Sequence, residues 1–329
     1  MTVMNRKQQL FAALNCRANV LPVPVWEVEF QAWDAASGRH VVLGHEFEAL
    51  SEHEQEQAMF RNAEILLAVA DDFGFAALTV PSVYWDEAPG KLAYYCLPGD
   101  TRFRQAEILR ELASPELVLV GSSGGVIGMP GAGNYEEFAY QLFDAPEEID
   151  QQARRTCAGG IAAARRFRDV GIEVVMAPAD IADNHGPYFS PEQLDRFILP
   201  YLREWSETVQ EMGLYSILHT DGNIQPCIAA LADTALHAVQ AIDPTAGMSM
   251  RAAQAAVQGR LCLCGNIDCG LLLTGTPDEV YQATWQLLSD CAAQGGVILG
   301  VSNAVQPVVP IANYRAMLAA NREYARAAD

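Results

Sequence analysis

Eight short runs rich in β-branched and other apolar residues recur along the chain, at 20–28, 76–80, 117–121, 173–177, 215–219, 238–242, 260–265 and 297–301. Most are separated by segments with apolar residues three and four apart, such as Leu194, Phe197, Ile198, Tyr201, Leu202 and Trp205. That spacing is the period of an amphipathic helix. Strands that alternate with helices pair in parallel, because each helix returns the chain to the start of the next strand. Eight such units within 329 residues close most economically as an α/β fold of the (β/α)8 TIM-barrel type. The rival, an open doubly wound sheet, usually carries an early glycine-rich phosphate loop. The chain has no G-x-G-x-x-G and no P-loop, and the run Gly121-Ser-Ser-Gly124-Gly125 fits neither spacing.

Local signals agree with this division. Ser190-Pro-Glu-Gln193 and Thr276-Pro-Asp-Glu279 each offer an N-cap, a proline at the first helical position and a Glu or Gln three residues on, which is a capping box. Asp144-Ala-Pro146-Glu147 is a looser version, and Gly213 and Gly295-Gly296 stop the helices begun at Pro191 and Pro277. The opening residues, MTVMNRKQQLFAAL, read as an amphipathic helix. The turn-rich stretch from Tyr84 to Phe103 reads as a hairpin or lid inserted after the second strand. No linker or low-complexity segment interrupts the pattern, so one barrel domain over 1–329 is expected.

Composition narrows the partners. Half the residues are hydrophobic, which excludes a disordered chain. Lys plus Arg total 21 against 41 Asp plus Glu, a net charge of −20. Phosphate backbones and anionic membranes reward cations, so neither nucleic acid nor a membrane surface is an expected partner. No apolar stretch approaches bilayer length, and the opening segment lacks a secretory signal's apolar core, so a cytoplasmic protein is expected. The eight cysteines mostly sit singly in apolar segments, as buried thiols do in a reducing compartment. Cys262, Cys264 and Cys269 form the one cluster; without a C-x-x-C pair they read as residues of a buried strand, with a thiolate metal site as the alternative.

In a barrel, function gathers at the carboxyl ends of the strands, and nearly every such end here is polar. Strand one leads to Trp26, Glu27 and Glu29. Strand two leads to Ser82, Tyr84 and Trp85, and strand three to Ser122 and Ser123. Strand four meets Asp180, Asp183, Asn184 and His185, and strand five His219, Asp221 and Asn223. The last three reach Gln240 and Asp243, Asn266 and Asp268, and Ser302, Asn303 and Gln306. His219 and Asp221 are two apart, so they share a side of an extended strand. An imidazole beside a carboxylate ligates a metal or forms a base with its orienting partner. The plainer alternative is a turn at Asp221-Gly-Asn223 beside a packed histidine. Asp180 and Asp183, with His185, are candidates to complete a metal or proton-transfer site, against the alternative of a solvated turn at Asp183-Asn184. Trp26, Tyr84 and Trp85 are candidate stacking surfaces, with plain packing as the alternative.

Several stretches of the second half resemble the uroporphyrinogen decarboxylase superfamily, which includes cobalamin-dependent methyltransferases. They are Ser190 to Pro200, His219-Thr-Asp-Gly-Asn-Ile224, Gly265-Asn-Ile-Asp268 with the segment Leu271 to Val280, Gly295 to Leu299, and Pro310 to Met317. The resemblance implies a (β/α)8 barrel, as the strand count does. It also separates two branches. True uroporphyrinogen decarboxylases carry an arginine-rich P-x-W-x-M-R-Q-A-G-R-Y segment, whereas this chain has Pro22-Val-Pro-Val-Trp26-Glu-Val-Glu-Phe-Gln-Ala-Trp33. Glu27 and Glu29 would repel a polycarboxylate. The methyltransferase branch uses a zinc site of the form His-x-Cys with a later Cys. Here His219 matches the histidine, Asp221 stands at the first cysteine and Ser302-Asn303 at the later Gly-Cys.

A harder ligand set suits an oxygen substrate over a thiol. The resemblance therefore implies zinc on His219 and Asp221, with His219, Asp180 and Asp183 doing the chemistry. Trp26, Glu27, Tyr84, Trp85, Asn223, Asn266 and Asn303 are the expected substrate contacts. The expected reaction moves a methyl group from a small O-methyl donor, an aromatic ether among the candidates, to a corrinoid protein. Barrels of this type often pair, so a homodimer is an expected assembly. Two other readings compete: decarboxylation of a small acid, for which Arg251 and Arg260 are the available cations, and a non-catalytic binding role.

Overall fold

A computed structural model describes residues 4–81, 97, 99–131 and 133–328. Seven parallel strands follow one another in chain order: β1 (Ala77–Thr79), β2 (Val118–Ser122), β3 (Val174–Pro178), β4 (Tyr215–His219), β5 (Ala238–Gln240), β6 (Cys262–Cys264) and β7 (Val297–Ile298). The run at 20–28 departs from the expected ladder. Only residues 24–26 pair, and they join the two edges of the sheet. Trp26 N–H donates to Leu299 O at 3.0 Å and Leu299 N–H to Pro24 O at 2.9 Å, while Ala76 N–H donates to Val25 O at 2.9 Å. This eighth stave closes the barrel. It stays a bridge and not a full strand in part because Pro22 and Pro24 have no N–H to give.

Side chains alternate along each stave, so every second residue enters the barrel. Val118, Val120, Val174, Met176, Ile217, Ala238, Cys262, Cys264 and Ile298 pack there with Trp26 and Val28. The amino-terminal end is stoppered by α1 (Arg6–Leu14), whose Leu10, Ala13 and Leu14 join the same cluster. Phe11 stacks on Tyr215, the first residue of β4, with centroids 4.7 Å apart. Asn5 and Gln8 cap α1 reciprocally, and the basic residues Arg6 and Lys7 pair with Asp71 and Glu173 at 2.8 and 2.6 Å.

The outer layer is helical. Its main members are α2 (Glu52–Phe73), α3 (Thr101–Leu112), α4 (Pro146–Asp169), α5 (Leu199–Glu211), α6 (Pro277–Cys291) and α7 (Ile311–Ala328). The capping boxes at Ser190 and Thr276 both form. Asp144 instead ends the helix Tyr135–Asp144, and α4 starts at Pro146 without a side-chain cap. Between Pro191 and α5 the helix widens into a π turn at Leu194–Ile198, where Leu199 N–H reaches back to Leu194 O. Pro200 has no N–H for an ordinary helical bond at that point.

The glycines after β2 serve packing. A Cβ on Gly125 would fall 2.4 Å from Trp205, and one on Gly160 of α4 would fall 2.3 Å from Gly125 Cα. The loop therefore lies pressed between α4 and α5, and the run 121–125 needs no phosphate to explain it.

Of the expected insertion after the second strand, residues 82–96 and 98 lie outside the described residues, and Tyr84 and Trp85 with them. The end of that stretch is helical, since α3 begins at Thr101. A two-stranded hairpin, Ala182–Asp183 against Gly186–Pro187, instead follows β3. Among the described residues no helix is long and apolar enough to cross a membrane.

Candidate active site

His219 ends β4, in register with Pro178 of β3 on one side and Gln240 of β5 on the other. It has the inward parity of Ile217, so its ring enters the carboxyl mouth of the barrel and is only 14% exposed. Gln240 fixes the ring. Its Nε2 donates to the carbonyls of Val301 and Ser302 at 3.4 and 3.3 Å, which turns its Oε1 toward His219 Nδ1 in a short hydrogen bond. A carboxamide oxygen only accepts, so Nδ1 carries the proton and the Nε2 lone pair is presented to the mouth. There it lies 3.9 Å from Asp180 Oδ1.

Two backbone contacts place Asp180. Met129 N–H donates to its carbonyl at 2.6 Å, and Gly128 is tight enough that a Cβ would fall 2.8 Å from that oxygen. Asp180 Oδ1 in turn accepts the amide of Asp221 at 3.0 Å. Asp221 is held from the other side of the mouth, where Asn303 Nδ2 donates to its Oδ2. Gly222 lets this loop lie against the hairpin: its φ is +85°, and a Cβ there would come within 2.6 Å of two hairpin carbonyls.

The remaining oxygen, Asp221 Oδ1, is buried without a hydrogen-bond partner among the described residues. A buried carboxylate oxygen left unpaired is costly, and its presence calls for a proton or a cation. Burial pushes the Asp221 carboxyl up to about 6, with repulsion from Asp180 and Asp243 adding to it and His219 opposing. Among the described residues, Asp180, His219 and Asp221 are the one group of three or more His, Cys, Asp or Glu side chains able to share a metal ion, their ligand atoms all within 4.8 Å of one another. One imidazole nitrogen and two carboxylates suit zinc, which takes both donor types.

These three groups border a cavity of about 230 Å³. Val28, Phe30, Trp33, Phe75, Leu78 and Met176 form much of its wall, and Glu27, Glu29 and Asn303 add polar groups. No Lys or Arg is among its described lining residues. Glu27 is 3% exposed, and Glu29 lies two residues on along the same segment.

Other expected residues fall elsewhere. Asp183 does not face the cavity: its Oδ1 accepts the amides of His185 and Gly186 at 2.7 and 3.2 Å within the hairpin turn. Those donors hold its carboxyl below the usual range. His185 stays with it on the surface. Asn223 and Asn266 are not among the lining residues, and Asn223 accepts from the amide of Gln225 in a local turn. Trp26 is buried inside the barrel, its Nε1 donating to Thr79 Oγ1 at 3.0 Å, and it does not line the cavity. Asp268 caps the helix Cys269–Thr274. Cys262 and Cys264 are buried barrel residues, and burial pushes the Cys262 thiol well up. Arg260 pairs with Asp233, and neither Arg251 nor Arg260 lines the cavity. Sequence reasoning missed Gln240's part in holding His219; its position at the end of β5 was the available signal.

Comparison with known proteins bears on the family and the fold. A uroporphyrinogen decarboxylase (URO-D) family model matches residues 103–324, more than half of the chain. The methylcobamide:CoM methyltransferase MtbA of Methanosarcina mazei is 25% identical over 228 residues, 68% of this chain but 63% of that protein. The match thus spans less than two thirds of that relative's length. The methylcobamide:CoM methyltransferase MtaA of Methanosarcina barkeri is 22% identical over 254 residues, 74% of this chain and 72% of that protein. A solved structure of a methyltransferase from Methanosarcina mazei superposes with a TM-score of 0.76 at 18% identity, over 98% of this chain and 99% of that one. That likeness speaks to the (β/α)8 fold.

Proposed function

The chain belongs to the uroporphyrinogen decarboxylase family, and from that premise we propose that it is a corrinoid-dependent methyltransferase acting on a small O-methyl substrate. The observation that carries the reading is the convergence of His219, Asp180 and Asp221, with a buried carboxylate oxygen unpaired among the described residues, on a largely apolar cavity. The names of the relatives, both methylcobamide:CoM methyltransferases, support methyl transfer and a corrinoid as methyl carrier. The oxygen substrate rests on the ligand chemistry. Hard oxygen and nitrogen donors replace the thiolates that a thiol acceptor would favour.

In this reading His219 Nε2, Asp180 and Asp221 hold a zinc ion. Zinc there supplies Lewis acidity to an ether oxygen, whose departure as an alkoxide is otherwise slow. The chain's own groups do the rest. Gln240 keeps the His219 lone pair aimed, Asn303 and the Asp221 amide lock the two carboxylates, and the apolar wall excludes water and strengthens each electrostatic contact. The methyl group passes to a reduced corrinoid on a partner protein, which enters as co-substrate. Decarboxylation is the less favoured reading, because a carboxylate substrate would meet Glu29, Asp180 and Asp221 with no cation among the described lining residues.

The test is a panel of methyl ethers, methyl esters and methylamines with the purified protein and cob(I)alamin, followed by the absorbance of the corrinoid. Methylation of the corrinoid by an O-methyl compound is expected. Release of carbon dioxide from a small acid without corrinoid would replace this reading by the lyase. A second prediction concerns Gln240. Gln240→Met keeps the volume but removes the acceptor at His219 Nδ1, and is expected to weaken zinc about 10- to 100-fold, read by competition with a chromophoric chelator. Unchanged affinity would mean the carboxamide does not orient the ring.

A further inference from the structure

Thr220 stands in the chain between two of the three groups that converge on the mouth, His219 and Asp221. It is 1% exposed and does not line the cavity. Its backbone is tied to the end of β5: Thr220 N–H donates to Gln240 O at 2.6 Å, and Thr220 O accepts the amide of Ala241 at 3.3 Å. Its hydroxyl reaches the segment that follows β3. There Oγ1 accepts the amide of Ile181 at 3.0 Å, and its own proton goes to Asp221 O at 3.3 Å.

These bonds pin the backbone of both acids. The peptide unit joining Asp180 to Ile181 is held at its two ends, its oxygen by the Met129 amide at 2.6 Å and its N–H by Thr220 Oγ1. Asp221 is held through its N–H by Asp180 Oδ1 at 3.0 Å and through its carbonyl by the Thr220 hydroxyl. The backbone ladder between β3 and β4 runs on to Ala179 N–H, which donates to His219 O at 2.9 Å. The Thr220 hydroxyl takes the next amide of the β3 segment, two residues on. A β-branched side chain is restricted at χ1, so the hydroxyl stays where the backbone puts it.

We propose that Thr220 is a positioning residue for the metal group: its hydroxyl keeps Asp180 and Asp221 in ligand range of His219, a role that rests on the zinc site proposed above. The hydroxyl acts through the backbone that carries the two carboxylates. Without it the Ile181 N–H is buried with no acceptor, and the Asp180–Ile181 peptide turns to find one. That rotation moves the Asp180 carboxylate, whose ligand atom lies within 4.8 Å of those of His219 and Asp221. Other ties between the two segments remain. Asn223 N–H donates to Asp183 O at 2.8 Å, and the ladder bond at Ala179 is untouched. Loss of the hydroxyl therefore falls on metal binding more than on folding.

The experiment measures zinc affinity by competition with a chromophoric chelator in wild type, Thr220→Val and Thr220→Ser. Valine keeps the shape and lacks the hydroxyl, whereas serine keeps the hydroxyl. Thr220→Val is expected to weaken zinc about 10-fold or more, and Thr220→Ser by less than about 3-fold. Coupling between a bond and a ligand is reciprocal, so zinc should slow hydrogen exchange of the Ile181 amide in wild type by about 10-fold. That measurement needs no variant and decides the matter if Thr220→Val does not fold. Equal zinc affinity in wild type and Thr220→Val, equal weakening in the two variants, or an Ile181 amide whose exchange ignores zinc would overturn the proposal, while tight zinc binding by wild type leaves the zinc site standing. A wild type that binds no zinc overturns both.

Discussion

His219→Ala is expected to lower corrinoid methylation by at least about three powers of ten, which corresponds to about 4 kcal/mol of lost transition-state stabilisation. The ring is the sole nitrogen donor of the three-residue group, and its removal leaves two carboxylates that repel each other with no neutral ligand between them. Folding should change far less. The lost hydrogen bond leaves Gln240 Oε1 unpaired in a mostly buried setting, at a cost of about 1–3 kcal/mol. Far-ultraviolet circular dichroism of the variant should match wild type. Activity within tenfold of wild type would remove His219 from the chemistry.

Trp205→Ala is expected to have the largest effect on stability, about 3–5 kcal/mol, as for other buried tryptophans cut to alanine. The side chain is fully buried on α5 and fills the space that Gly125 leaves open. Its Nε1 has no hydrogen-bond partner among the described residues, so its contribution there is packing. Trp205→Phe should therefore recover much of the loss, since most of the ring volume returns and no hydrogen bond is forfeited. Urea denaturation reads both, as a shift in midpoint at unchanged slope. Equal midpoints for wild type and Trp205→Ala would mean that the pocket collapses around the gap.

The barrel was legible because its staves are buried on both faces and so read as short apolar runs, with helical periods and capping boxes marking the returns. Seven of the eight runs contain strands of the sheet. The first was harder: 20–28 has the composition of a strand, but its prolines reduce the pairing to a bridge. At the site, His219 and Asp221 were legible from their i, i+2 spacing at a strand end, and Asp180 from following Pro178. Asp183 belonged to the same polar segment and was separated from Asp180 only by the hairpin turn, whose amides it binds. Trp26 and Glu27 are adjacent and diverge. Trp26 packs inside the barrel, and Glu27 meets Tyr314 across 287 residues of sequence. Local periodicity does not reveal a pairing of that range. Asn303 likewise meets Asp221 only through closure of the barrel.

The central claim is that groups from the ends of β3 and β4, remote in sequence, hold one metal ion without sulfur. X-ray absorption at the zinc edge of the protein loaded with one equivalent of zinc tests it most directly. The account predicts a nitrogen–oxygen shell at about 2.0–2.1 Å with no sulfur shell near about 2.3 Å, and loss of that shell in His219→Ala. A sulfur shell, or a zinc environment indifferent to His219, would contradict it.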